Sequence, residues 1–137
     1  MSLIENCFYR ISVKALILDS EQRFLLTQED NGLWELPGGG LNFGEKPQEG
    51  LAREIQEEMN IEVTYIAENP SYFLTAKNKA GIYCANILYL AKIKSFNFTK
   101  SAECVAIKFF TKEEAAAEKL FPNVRDFAEL YNPDNHR

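Results

Sequence analysis

The segment Leu36–Val63, LPGGGLNFGEKPQEGLAREIQEEMNIEV, constrains this chain more than any other. Three consecutive glycines, Gly38 to Gly40, let the backbone take positive φ and lie close against a ligand, and Pro37 stiffens the approach to them. A helix is expected next. Pro47 suits its first turn, Leu51, Ile55 and Met59 recur every four residues as a buried stripe, and Asn60 stands near its end. Away from that stripe, Glu54, Glu57 and Glu58 sit at i, i+3 and i+4, close to the helix C-terminus where the helix dipole is already negative. Like charges at this spacing cost roughly 0.2–0.5 kcal/mol per pair. Something must offset them. Arg53 lies among them, and a solvated acidic face is the plain reading. A hard cation such as Mg²⁺ is the sharper one, because it takes carboxylate oxygens together with backbone carbonyls from a glycine loop.

Around this segment the chain alternates. Apolar, β-leaning runs cover Tyr9 to Leu18 and Arg23 to Thr27, joined by DSEQ as a hairpin turn, and a short strand is expected at Trp34 to Leu36. After the helix come IEVTYIAE, SYFLTA and GIYCANILYLAKI as further strands, with KNKAG as a turn, and then CVAIKFF. Thr111 followed by Glu114 is a capping box opening TKEEAAAEKL, and Pro122 ends that helix or starts the next, PNVRDFAELY. Strands, a helix, more strands and C-terminal helices indicate a mixed sheet flanked by helices.

Length and charge narrow the function. The 137 residues fit one domain, 1–137, able to bury its own core. A net charge of −5 argues against nucleic-acid binding through bulk electrostatics, and an anionic phosphate ester would need a divalent cation to mediate contact. Cys7, Cys84 and Cys104 are odd in number and lack C-x-x-C spacing, so they are read as free thiols in a reducing, cytoplasmic setting. The start, MSLIENCFYR, does not resemble a signal peptide, and no stretch is apolar enough to span a bilayer.

Gly39, five residues, Glu45, seven residues, Arg53-Glu54-Ile55, one residue, Glu57-Glu58, one residue, Asn60-Ile61 resembles the signature of the Nudix (MutT-like) hydrolases. The family pattern is matched at every fixed position from Gly39 to Ile61 except one, where its glycine is Asn60; asparagine is the next-best residue for a left-handed helix cap. WELPGGG, just before, is also usual in this family. The resemblance implies an α/β/α sandwich with a mixed β-sheet flanked by helices. It also implies hydrolysis of a pyrophosphate bond in a nucleoside diphosphate linked to another moiety, with Mg²⁺ or Mn²⁺. By that resemblance Glu54, Glu57, Glu58 and the Gly39 carbonyl are metal ligands, Arg53 and Glu45 brace the loop against the helix, and Gly38, Gly39 and Gly40 approach the substrate.

A carboxylate must take the proton of the attacking water, because the only histidine, His136, lies at the terminus, where disorder is the expectation. Glu57, Glu58 and Glu103, in the loop before CVAIKFF, are the candidates. Trp34 is read as packing rather than base stacking, and Tyr72, Phe73 and Tyr83 as core rather than pocket. Lys77 and Lys79 are read as solubilising a hairpin tip, and Gln28 and Glu29 stand where many relatives carry a basic phosphate contact. PGGGLNFGEK lacks the Gly-Lys-Ser/Thr ending of a P-loop. A nucleotide-binding Nudix module without catalysis is the rival from another class; the three retained glutamates favour an enzyme. Its expected substrate is a nucleotide-type small molecule, foremost a (d)NTP, with ADP-ribose, nucleotide sugars or dinucleoside polyphosphates as the alternative. Its expected state is monomer or homodimer.

Overall fold

The computed structural model describes residues 6–137, so the first five residues of the N-terminal segment considered above lie outside the described residues. The elements are β1 (Arg10–Leu16), β2 (Phe24–Gln28), β3 (Trp34–Glu35), β4 (Gly38–Gly40), α1 (Pro47–Met59), β5 (Val63–Ile66), β6 (Tyr72–Lys77), β7 (Tyr83–Ile93), β8 (Ala106–Phe110), α2 (Lys112–Ala116) and α3 (Pro122–Leu130). A 3₁₀ turn over Pro133–His136 closes the chain.

β7 organises the larger sheet. It runs parallel to β1 from Arg10↔Cys84 to Leu16↔Leu90, and pairs antiparallel with β6 along its first half and β5 along its second. β4 forms the edge beyond β1, and β3, β2 and β8 make a smaller antiparallel sheet. Alternate strand residues face opposite sides, so a sheet covered on both faces reads as continuous apolar sequence. Val13, Ala15 and Ile17 pack with Leu51, Ile55 and Met59 of α1; Leu16 and Leu88 pack with Val124 and Phe127 of α3. The result is the expected mixed sheet between helices, with a core on each side.

Two local expectations change. The Asp19–Gln22 turn does reverse the chain, with the Asp19 N–H donating to the Arg23 carbonyl at 3.1 Å, yet β1 and β2 belong to different sheets. The seven-residue ladder to β7 captures β1, and what remains across the turn is the isolated Leu18↔Phe24 bridge and the Leu25 N–H donating to the Ile17 carbonyl at 2.9 Å. Gly38–Gly40, expected as a loop, is a strand against β1, in register Val13↔Gly39. The missing side chains permit it: a Cβ on Gly38, where φ is +127°, would run into the Val13 carbonyl oxygen. The capping box forms as expected, with the Glu114 N–H donating to Thr111 Oγ1 at 3.1 Å and the Thr111 N–H to Glu114 Oε1 at 2.9 Å. Among the described residues no helix is long and apolar enough to cross a membrane.

Candidate active site on both faces of an edge strand

α1 carries the acidic cluster because its stripe is anchored: Leu51, Ile55 and Met59 are fully buried. Its last turn holds no basic residue, and Asn60 ends it in the left-handed conformation, φ 56°, ψ 44°. Arg53 is the organiser. Its Nε and Nη2 grip the two oxygens of Glu45 at 2.6 and 2.9 Å, a two-pronged contact that suits a planar guanidinium. Nη2 also donates to the Gly40 carbonyl at 3.0 Å, and Nη1 donates to Glu54 Oε1 at 3.0 Å and Glu57 Oε2 at 3.1 Å. The Arg53 side-chain hydrogen bonds, aided by the Asn42 N–H, hold Glu45 down at about 2.

Glu58 departs from the sequence expectation. It is not on the surface with its neighbours but 8% exposed, turned inward so that Oε1 accepts from the Gly38 N–H at 3.3 Å. Burial pushes its carboxyl up to about 8, while Lys14 and the Gly38 N–H pull it down and Glu35 and Glu54 push it further up. The i, i+4 step from Glu54 carries it round towards the sheet, where β4 passes. On that strand Gly39 faces Glu54, and any Cβ there would collide with the Glu54 carboxylate. Among the described residues no three acidic, histidine or cysteine side chains already converge on one point, since Arg53 restrains Glu54 and Glu57 while Gly38 holds Glu58. The donor set nonetheless fits a hard divalent cation. It offers carboxylate oxygens, one of them buried with a single hydrogen bond, beside a glycine that leaves room for them.

Glu103 is exposed on the Ser101–Cys104 turn. That turn touches the cluster through Ser101, whose Oγ donates to the Glu58 carbonyl at 3.3 Å; among the described residues no hydrogen bond or ion pair joins the Glu103 carboxylate to it. His136, expected to be disordered, is docked: its ring stacks on Tyr131 at 5.5 Å and Nε2 lies 2.8 Å from Tyr72 Oη. It is outside the cluster all the same. Trp34 is packing, edge-on to Phe110, and Tyr72 packs against Phe127, whereas Phe73 and Tyr83 are exposed rather than core.

On the other face of the sheet lies a cavity of about 320 Å³, a size that suits a small-molecule site. Arg10, Ser12 and Lys14 of β1, with Cys84 and Asn86 of β7, line it; further along the same face the strands turn apolar at Leu16 and Leu88. Gly40 borders it beside the Arg10 guanidinium, and Phe121–Asn123 cap it from the start of α3. Lys77 and Lys79 are part of its wall, not merely a soluble tip, and Lys79 pairs with Glu29 at 3.2 Å across the mouth. Glu29 thus places an anion on the cavity wall. Lys14 is 5% exposed, with Nζ donating to the Leu36 and Gly38 carbonyls at 3.3 and 3.2 Å and 3.7 Å from Glu35. Arg10, Lys14, Glu35, Asn86 and Asn123 escaped sequence reasoning. The available signal was polarity inside apolar strands, Lys14 in ISVKALIL and Asn86 in YCANILYL.

The NUDIX domain family matches residues 8–131. A MutT-like protein of Streptomyces ambofaciens is 31% identical over 109 residues, covering 79% of this chain and 68% of its own. An RNA pyrophosphohydrolase of Campylobacter jejuni is 28% identical over 134 residues, covering 90% and 83%. Among solved structures, the MutT protein of Methanosarcina mazei Go1 superposes with a TM-score of 0.77 at 26% identity, over 96% of this chain and 99% of that one. The glycine strand, the Arg53-braced carboxylates and these likenesses agree: the chain belongs to the Nudix family, whose members hydrolyse pyrophosphate bonds with divalent metal ions.

Proposed function

We propose that this protein is a nucleoside-triphosphate pyrophosphohydrolase, one Nudix domain working with Mg²⁺ or Mn²⁺. The observation that carries the reading is the position of β4 between two chemistries. Gly39 faces the Glu54 carboxylate and Gly40 faces Arg10 and the cavity, so a nucleoside seated in the cavity directs its phosphates across a single strand to the acidic cluster. The cavity accommodates one nucleoside, which favours a triphosphate over a dinucleoside polyphosphate.

In this reading Glu54, Glu57, Glu58 and the Gly39 carbonyl would hold the ion, which would supply charge neutralisation and acidification of a water. Arg53 fixes two of the carboxylates and, through Gly40 and Glu45, locks the helix to the strand that approaches the substrate. Among the described residues the Arg10 guanidinium is committed through Nη1 alone, to the Leu41 carbonyl at 2.8 Å, which leaves its other edge for the phosphates where they cross. The proton of the water would pass to a carboxylate, for which the exposed Glu57 and Glu103 and the buried Glu58 are the candidates. Free thiols at Cys7, Cys84 and Cys104 suit a reducing compartment such as the cytoplasm.

The test is product analysis with and without Mg²⁺ or Mn²⁺ over nucleoside triphosphates, ADP-ribose, nucleotide sugars, dinucleoside polyphosphates and a 5′-triphosphorylated oligonucleotide. The last probe is included because of the RNA pyrophosphohydrolase relative. Metal-dependent conversion of a triphosphate to its monophosphate is the expected result. Turnover confined to another class reassigns the substrate. Silence from folded, metal-binding protein points to a substrate outside the panel or to a nucleotide-binding module.

A further inference from the structure

α1 covers only part of its face of the larger sheet. Val13 of β1 and Ile87 of β7 pack with the helix stripe, but nearer the strand starts the same face is open. There Ile11 pairs with Ala85 and Tyr9 meets Tyr83 edge-on at 6.0 Å; β6 widens the face, with Thr75 opposite Ala85 and Phe73 opposite Ile87. Tyr9, Tyr83 and Phe73 are 47, 53 and 63% exposed and belong to neither core. Phe8 and Ile82, which precede the two tyrosines, are also more than half exposed. A parallel pair such as β1 and β7 ordinarily has both faces covered, so an open stretch of it carrying this much aromatic surface marks a docking face.

Size, charge and shape identify the occupant. Together the five side chains leave open about the surface of three whole aromatic residues, roughly 400–700 Å². A standard stable interface takes about 800 Å² from each partner, which this face reaches with its rim. Lys77 is the one charged side chain that strand alternation puts on the face, at the end of β6 with its Nζ over the Tyr83 ring at 5.2 Å. Two such faces therefore meet without like charges at their centre. The Ile11–Ala85–Thr75 row runs between the tyrosines and Phe73, and its alanine, 5% exposed among larger neighbours, makes it a trough. One surface thus offers both a projecting ring and a recess, as a two-fold contact between identical faces requires. We propose that this face docks a second copy of the chain, sheet against sheet, with Phe73 of each copy in the Ala85 trough of the other. Docking on Tyr9 and Ile11 would also fix the start of β1, and with it Arg10, which borders the cavity from the opposite face.

Sedimentation equilibrium of the 137-residue chain tests this without any substrate, so the result stands apart from the functional reading above. Wild type is expected at twice the chain mass at about 100 μM and to dissociate on dilution. Replacing Phe73 and Tyr83 together by serine removes the projecting ring and one wall of the trough, and should raise the dimer dissociation constant at least about 100-fold. Phe73→Glu brings two carboxylates into the contact and should leave the chain monomeric by itself; if it misfolds, the serine pair, at two exposed positions, carries the test. Leu130→Ser, at a comparably exposed leucine on α3, should leave the dimer unchanged. A monomeric wild type at that concentration overturns the proposal. So does a dimer of undiminished affinity in the face variants, or one that Leu130→Ser dissociates instead.

Discussion

The two faces of the sheet around β4 were assembled in opposite ways. On the α1 face every participant, Gly39, Glu45, Arg53, Glu54, Glu57 and Glu58, comes from one run of twenty residues, and a single guanidinium ties most of them together. On the α3 face the polar groups come from β1, β3, β7 and the first turn of α3, and Asn123 reaches Glu35 across 88 positions of sequence. The carboxylate cluster proposed to hold the metal is built from a local unit. The cavity proposed to hold the nucleoside is built from whatever the topology brings to the same place, and can vary piece by piece.

If that division holds, substitutions on the α1 face should damage turnover of every substrate alike. The largest effect is expected for Glu58→Gln, a loss of roughly 10²- to 10³-fold in kcat with the fold intact. Near-normal activity would remove Glu58 from the ligand set. The same substitution has a signature without metal. The Glu58 carboxyl is raised from 4.5 to about 8 in the folded protein, so its contribution favours folding below pH 4.5 and is lost as pH rises through 8. Metal-free wild type should therefore lose thermal stability across that window more steeply than Glu58→Gln, and identical profiles would refute the inward, desolvated carboxylate.

Arg53→Lys comes next. A lysine cannot grip both oxygens of Glu45 while also reaching Glu54 and Glu57, so kcat should fall by about 10- to 100-fold with little change in KM. A change confined to KM would place Arg53 with substrate binding instead. Glu45→Gln should be milder and show itself in acid. Glu45 is held at about 2, so its contribution is present above pH 4.5 and lost as pH falls through 2; denaturation curves of the variant should lack that segment of acid sensitivity. The smallest effect belongs to Asn60→Gly, which keeps the left-handed cap and should move Tm by no more than about 2 °C. A larger drop would show that the side-chain hydrogen bond between Gln56 and Asn60 matters more than the cap conformation.

The same contrast decides what could be read from the sequence. The helix with its Leu51, Ile55, Met59 stripe, its Asn60 cap and the Thr111–Glu114 box were legible because each depends on residues within a few positions of one another. So was the grouping of Glu54, Glu57 and Glu58. That Glu58 turns inward was not, since helix spacing says which residues are neighbours but not where β4 will cross them. The strand at Gly38–Gly40 was hidden by its composition: glycine has low strand preference, and here its partner β1 imposes the conformation. Lys79 looked like a hairpin-tip charge until the fold placed it opposite Glu29. Asn86 was invisible for the same reason, its meaning residing in Asn123 and Glu35 rather than in its flanking residues.

One further consequence belongs to β1. Its residues alternate between the two jobs, Arg10, Ser12 and Lys14 bordering the cavity and Val13 and Ala15 packing under α1. A strand with this division tolerates new letters but not a changed count. Losing a single residue would send valine into the cavity and lysine into the apolar layer beneath the carboxylate helix, disturbing both faces in one step. Lineages of this fold can thus retune their substrate by exchanging side chains at even positions of β1, while insertions and deletions are confined to the turns at either end.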